Sequence, residues 1–379
     1  MTGGLPLARL FGIEVRISFA WAFVLAVVTF IGSQQAAATA PGLGAPLHWL
    51  IGVIVALGFL VTVVAHEVSH ALVGRRCGVP TTAITLGFIG GLAPLSIEAP
   101  RPRDEMAIAA AGPLVSLTVA LASLPVAMVI GAIGGGAGGV AGGVLVVGGL
   151  NLLIAALSLL PGMPLDGGRL VRAVAWAGTG SRERAGSIAV RVGRLLGWAT
   201  VGVGVALALA DMITGGLLVL ALGWLLITGA RTLDKRLGLE ELLRGATVAD
   251  AIRSDVPHID PALTVDTFAA RYEGDDGYTC LPVVDGDTPV GVIGTRRLQR
   301  LGRRRFADTR AADVMAVPPI ARFLEPGEDL WAAVEMMDRQ GLDGLAVVVD
   351  GSLEGMVTRE SIGDLIVRRT GGVEAAGSS

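Results

Sequence analysis

Long apolar runs, separated by short polar or glycine-rich stretches, fill residues 17–230, and the pattern changes after about residue 237. Six runs approach the roughly 20 residues that a helix needs to cross a bilayer: about 17–33, 47–70, 106–130, 140–160, 193–210 and 212–230. Gly and Ala dominate them, which lets helix backbones approach closely in lipid. Asp211 is the only charge between the last two runs, so a tight helical hairpin is expected there. Residues 79–98 break the helical pattern. β-Branched residues around Gly90 and Gly91 predict a strand or hairpin, a membrane-associated element that is tolerable at that depth only against protein or a wet cavity. A free strand edge there would hold an extended peptide by strand addition; a plain connecting loop is the other reading of the stretch.

Beyond residue 237 charges become frequent and apolar runs short, a soluble α+β pattern with an internal repeat. The stretches Leu281–Ile293 (LPVVDGDTPVGVI) and Leu345–Val357 (LAVVVDGSLEGMV) both read as strand–turn–strand. A helix is expected over Asp329–Gln340, ahead of the second unit, and one after each. Val248-Ala-Asp-Ala-Ile and Ala312-Asp-Val-Met open the two copies. The expected division is a transmembrane domain over 1–237 and a soluble module over 238–379, with repeats at about 241–300 and 308–370. The fold class is thus a polytopic α-helical membrane protein with an α+β module at its C-terminal end.

Composition narrows the function. With 52% hydrophobic and 17% charged residues and a mean hydropathy of +0.66, the chain is not a soluble enzyme. A net charge of -3 gives no reason to expect nucleic acid as a partner, and two cysteines, Cys77 and Cys280, provide neither a disulfide framework nor a cysteine zinc site. The first apolar run reads as a retained span, because no charged n-region, short h-region and cleavage site precede it. Basic residues orient the spans. Arg9 and Arg16 precede the first; Arg75, Arg76, Arg101 and Arg103 lie between the second and third; Arg169, Arg172, Arg182, Arg184 and Arg191 lie between the fourth and fifth, with Arg194 at the start of the fifth; Arg231, Lys235 and Arg236 follow the sixth. The loops 34–46 and 131–139 carry none. By the positive-inside rule both termini and the soluble module are cytoplasmic, in an inner or plasma membrane.

The candidate chemistry lies in the second run, at His66-Glu67-Val-Ser-His70. Four residues apart on a helix, two imidazoles share a face and reach one metal ion. Glu67 is placed to reach a metal-bound water, whose pKa zinc lowers to about 7. Helix-terminal histidines facing headgroups are the bland alternative, but the chain has only four histidines, and ionisable groups at membrane depth are usually functional. After the fourth run, Pro161 and Pro164 end the helix and Asp166 follows at the same depth. Asp166 is either a third zinc ligand, completing a His-His-Asp set with one open position, or the N-cap of the helix around Arg169–Trp176. Asn151 and Ser158, seven apart, share a helix face and could present polar groups to the same cavity.

These motifs, with Ala111-Gly112-Pro113 and Leu160-Pro161-Gly-Met-Pro164-Leu-Asp166-Gly-Gly168, occur in the order seen in the site-2 protease family of intramembrane zinc metalloproteases. The resemblance covers about residues 5–230. It implies one zinc per chain held by His66, His70 and Asp166, with Glu67 as base, and cleavage of transmembrane segments of membrane-anchored substrate proteins. Gly90 and Gly91 of the hairpin would help bind substrate. The family usually has Asn where this chain has Ser158; if that Asn positions substrate, Ser158 or Asn151 takes the part here. The soluble repeat resembles a tandem pair of CBS (cystathionine-β-synthase-type) domains, which in many proteins bind adenosine nucleotides. Ribose-binding copies carry an Asp where this chain has Arg297 and Ser361, so a regulatory, dimerising or substrate-docking module is the reading set beside nucleotide binding.

The expectation is therefore an intramembrane zinc endopeptidase with a cytoplasmic CBS pair that regulates or dimerises it. A CBS-gated transporter or channel would use His66, His70 and Asp166 along an ion path, but the polar residues sit at one depth only. An inactive, substrate-binding homologue would fit Ser158 and conflict with the intact Glu67.

Overall fold

The structure is a computed structural model, and it describes residues 5–376 except 80, 82, 88–89, 92–98, 273–279, 287, 295–297, 299–304 and 319–320. The chain divides into two compact units, Met1–Leu237 and Gly238–Ser379.

The first unit opens with a hairpin that the hydropathy pattern hides. Strands β1 (Leu5–Leu10) and β2 (Ile13–Ile17) pair antiparallel. Phe11 and Gly12, both at positive φ (51° and 77°), make the two-residue turn, the geometry that matches strand twist. Only two residues separate β2 from α1 (Ala20–Thr39), the first helix long and apolar enough to cross a bilayer. Helix α2 (Ala45–Arg76) follows and leads into β3 (Ala83–Gly87), which pairs parallel with β2 from Glu14↔Ala83 to Ile17↔Leu86. A return strand β4 (Gly90–Gly91) pairs back through Leu86↔Gly91 and Gly87↔Gly90. The 79–98 stretch is thus half of a four-stranded sheet, order β1-β2-β3-β4. The hairpin expected there is present, and β2 fills the other edge of β3. Residues 92–98 of that stretch lie outside the described residues. Arg75 ties the sheet to α2: its guanidinium donates to the carbonyls of Phe11 (2.6 Å) and Thr81 (2.9 Å).

Helices α3 (Pro102–Gly131), α4 (Ala137–Ser158), α6 (Arg182–Leu209) and α7 (Ile213–Leu243) are the other four of the six helices long and apolar enough to span. The short α5 (Asp166–Thr179) lies between α4 and α6. Glycine makes the closest helix contacts. A Cβ on Gly148 of α4 would stand 1.8 Å from Ser123 Oγ of α3, and one on Gly52 of α2 2.3 Å from the Thr29 carbonyl of α1. Without a hydrophobic drive between helices in lipid, such close backbone packing holds the bundle together. Residues 210–212 link α6 to α7, with Asp211 at φ 60°.

In the second unit the repeat appears as two hairpins of matching register. Strands β5 (Cys280–Asp285) and β6 (Thr288–Gly294) pair from Cys280↔Gly294 to Asp285↔Thr288; β7 (Gly344–Val349) and β8 (Ser352–Thr358) pair from Gly344↔Thr358 to Val349↔Ser352. Each register shifts at the corresponding place, Val283/Val284 and Val347/Val348. Helices α8 (Val248–Ala251), α9 (Val265–Tyr272), α10 (Ala311–Val314), α11 (Leu330–Gln340) and α12 (Arg359–Ala376) surround them. Leu281, Val283 and Ile293 fill one core; Leu345, Val347, Met356 and Val357 fill the other.

Candidate metal centre

His66 and His70 lie on consecutive turns of α2, and Asp166 opens α5. Their donor atoms converge: His66 Nε2 and His70 Nε2 are 3.3 Å apart, and Asp166 Oδ2 is 3.6 Å from the first and 3.4 Å from the second. No other group of three or more metal-ligating side chains meets this closely among the described residues. The N-cap of α5 is Leu165, so the Asp166 side chain faces the two imidazoles and does not cap the helix.

The far ring nitrogens decide the protonation of the near ones. His70 Nδ1 lies 2.7 Å from the Ile108 carbonyl of α3. A carbonyl only accepts, so Nδ1 carries the proton and Nε2 presents a lone pair. Buried His66 has its Nδ1 2.9 Å from Ser116 Oγ, also on α3; a hydroxyl accepts as well as donates, so it accommodates the tautomer that leaves Nε2 as an acceptor. With both rings in that tautomer, two imidazole lone pairs and a carboxylate oxygen facing one another would repel without a cation among them.

Both distances and space fit zinc. Tetrahedral bonds of about 2.0–2.2 Å give donor–donor edges of about 3.3–3.6 Å, the separations found. A Cβ on Gly112 of α3 would stand 2.2 Å from His70 Nε2 and 2.5 Å from His66 Nε2, close to a zinc–nitrogen bond length of about 2.0–2.1 Å. Glycine at 112 keeps open the room a metal needs. Residues 105, 108, 112 and 116 of α3 lie on one stripe of that helix, and three of them touch the histidines. Spacing arguments along α2 could not find them, because they act from another helix. Ser116 in an apolar run and the Ala-Gly-Pro triplet were the available signals.

Asp166 is delivered by tight backbone packing. A Cβ on Gly167 would meet the Leu160 carbonyl at 2.2 Å, and one on Gly168 the backbone of Gly162 and Met163 at 2.6 Å. The two glycines after Asp166 therefore let the first turn of α5 rest on the 159–163 loop. Glu67 is half-buried beside His66. Asn151 is fully buried and its amide is engaged elsewhere: it donates to Thr62 Oγ1 (2.9 Å) and to the Val147 carbonyl (2.8 Å), linking α4 to α2. Ser158 is the half-buried last residue of α4. Gly90 and Gly91 form β4.

In the second unit, Ser361 uses its hydroxyl internally. It accepts from the Thr358 N–H at 3.0 Å, while Thr358 Oγ1 accepts from the Ser361 N–H at 3.1 Å; both residues are buried. This reciprocal cap uses the hydroxyl of Ser361, the residue that stands where ribose-binding copies carry an Asp. Arg297 lies outside the described residues.

Bilayer-length helices around a His-His-Asp centre, followed by a repeated α+β module, define a polytopic membrane metalloprotein. The comparisons agree. The profile of Peptidase family M50 matches residues 54–137, and that of the CBS domain matches residues 248–302 and 311–367. The chain is 33% identical over 373 residues to "Putative zinc metalloprotease Rip3" of Mycobacterium tuberculosis, covering 97% of this chain and 93% of that one. It is 23% identical over 362 residues to zinc metalloprotease MJ0392 of Methanocaldococcus jannaschii, covering 96% of each. Among solved structures it is similar to the site-2 protease from Methanocaldococcus jannaschii, with 24% identity and a TM-score of 0.41 over 60% of this chain and 94% of that one. The chain belongs to peptidase family M50, the site-2 protease family of zinc metalloproteases, and carries a tandem CBS pair.

Proposed function

We propose that this chain is an intramembrane endopeptidase that cuts transmembrane segments of membrane-anchored proteins. The observation that carries this reading is the convergence of His66, His70 and Asp166 at tetrahedral edge lengths among helices of bilayer length. His66, His70 and Asp166 would hold a zinc ion, which when bound would supply a Lewis acid for a carbonyl and lower the pKa of water. Glu67 takes the proton of the attacking water and returns it to the leaving amine. The Ile108 carbonyl and Ser116 hold the imidazoles in the tautomer that binds metal. The substrate must unwind, because a helical backbone hides its carbonyls in internal hydrogen bonds. The β4 side of the sheet, around Gly90 and Gly91, is where the extended segment would add, since β2 fills the other edge of β3. The distribution of basic residues supports a cytoplasmic side for the termini, the catalytic end of α2 and the CBS pair, and on this reading the pair regulates or dimerises the protease.

The test is zinc content and cleavage of a single-span substrate by the purified full chain. Wild type holds about one zinc and cuts, Glu67→Gln holds zinc without cutting, and Asp166→Ala loses zinc. Wild type without zinc overturns the metal centre. Zinc without cleavage, across a panel of single-span substrates, overturns the protease reading and leaves a substrate-binding homologue.

A further inference from the structure

The metal ligands come from two helices, yet a third registers both. On α3, the Ile108 carbonyl fixes the His70 ring. One turn earlier on the same helix, Glu105 is only 1% exposed. Arg172 of α5 donates to its Oε1 from Nε at 2.8 Å and again from Nη2. Arg172 lies six residues after Asp166, so this ion pair sets where the first turn of α5 sits against the turn of α3 that orients His70.

We infer that Glu105 and Arg172 are positioning residues for the metal centre, a clamp that brings Asp166 to the two imidazoles. This rests on the reading of His66, His70 and Asp166 as zinc ligands. A buried ion pair seldom gains stability over an apolar pair of similar volume, so stability is a weak reason for this one. Placement is a stronger one. Two donors of a planar guanidinium on one carboxylate oxygen constrain rotation as well as distance, whereas apolar contacts between α3 and α5 would let the helices slide. A slide of about 1 Å would carry Asp166 Oδ2 out of range of a zinc bond, which tolerates about 0.2 Å.

The test uses the full chain in detergent. Zinc affinity is measured by chelator competition, and cobalt(II) is substituted to report coordination geometry through its visible absorption. Glu105→Gln keeps the shape and removes the charge; Arg172→Lys keeps the charge and removes the fork. Arg101→Ala is the control, because it removes an exposed guanidinium that pairs with Asp104 at the start of the same helix. With helicity unchanged, both clamp variants should bind zinc about 10- to 100-fold more weakly and shift the cobalt spectrum, while the control matches wild type. Wild-type affinity and an unchanged spectrum in either folded clamp variant overturn the proposal. If Glu105→Gln does not fold, Arg172→Lys decides by the same two readouts. A wild type that binds no zinc refutes the metal centre itself, a result distinct from failure of the clamp.

Discussion

Gly112→Ala is the sharpest probe of the centre. The added methyl would stand 2.2 Å and 2.5 Å from the two Nε2 atoms and 2.7 Å from His66 Cδ2. Against ordinary contact at 3.4 Å, the shortfall at the nitrogens is about 1 Å, far beyond what a packed interior absorbs. In the zinc-free protein the rings can swing aside. They then give up the hydrogen bonds to Ile108 and Ser116, about 1 kcal/mol each, so the protein should fold with a loss of about 2 kcal/mol. In the zinc-loaded protein the rings must stay, and methyl and metal compete for one space. Zinc affinity should fall by at least about 100-fold, the upper end of what changes around a metal centre produce. The assay is chelator competition with circular dichroism on the same samples. Gly149→Ala is the companion, because nothing lies within 4 Å of its added Cβ. Removing a glycine from a helix interior should there be neutral or stabilising by about 0.5–1 kcal/mol. Wild-type zinc affinity in folded Gly112→Ala would refute the claim that α3 leaves the metal its room.

Three further outcomes follow from the contacts. Ser116→Ala removes the partner of buried His66 Nδ1 and should weaken zinc binding about 10- to 100-fold with little change in helicity; a competition titration matching wild type would show that Ser116 does not orient the ring. Asn151→Leu and Thr62→Val should couple in a double-mutant cycle by about 0.5–1.5 kcal/mol, reflecting the α4–α2 link; if turnover drops far more for Asn151→Leu than for Thr62→Val, Asn151 also contacts substrate. Burial and the neighbouring Asp343 push the Cys280 thiol up to about 12. The thiolate stays scarce below that pH, so maleimide at pH 8 should label Cys280 only after denaturation, and labelling of the native protein at the unfolded rate would contradict the closed core of the second unit.

Local physics made much of this legible in advance. Hydropathy marks the part of a helix that must lie in lipid, so all six long helices were visible, and the i,i+4 spacing of His66 and His70 follows from helix geometry alone. The ends were less visible. Helix α6 begins at Arg182, about eleven residues before the apolar run at 193, because its first turns carry arginines that a helix accommodates and hydropathy ignores. The repeat was readable because Leu281–Ile293 and Leu345–Val357 share one pattern of short apolar run, turn and short apolar run, which each segment carries by itself.

Everything that depended on which segments meet required the fold. Residues 5–17 are too short and mixed to announce a hairpin, and their parallel pairing with Ala83–Leu86 joins segments about 70 residues apart. Asp166 had two local roles open to it, cap or ligand; the placement of α5 leaves the N-cap position to Leu165 and brings the Asp166 carboxylate within 3.6 Å of the His66 and 3.4 Å of the His70 nitrogen. Gly112 and Ser116 stand out in α3 only as part of an Ala-Gly-Pro triplet and as a hydroxyl in an apolar run, and neither they nor Glu105 say what they face. Their roles arise from a stripe that faces α2 and α5, and a stripe acquires a partner only when helices pack. Motif spacing along one helix could name the two histidines; the approach of Asp166, the open space beside Gly112 and the hydrogen bonds to the two rings are properties of three helices in contact.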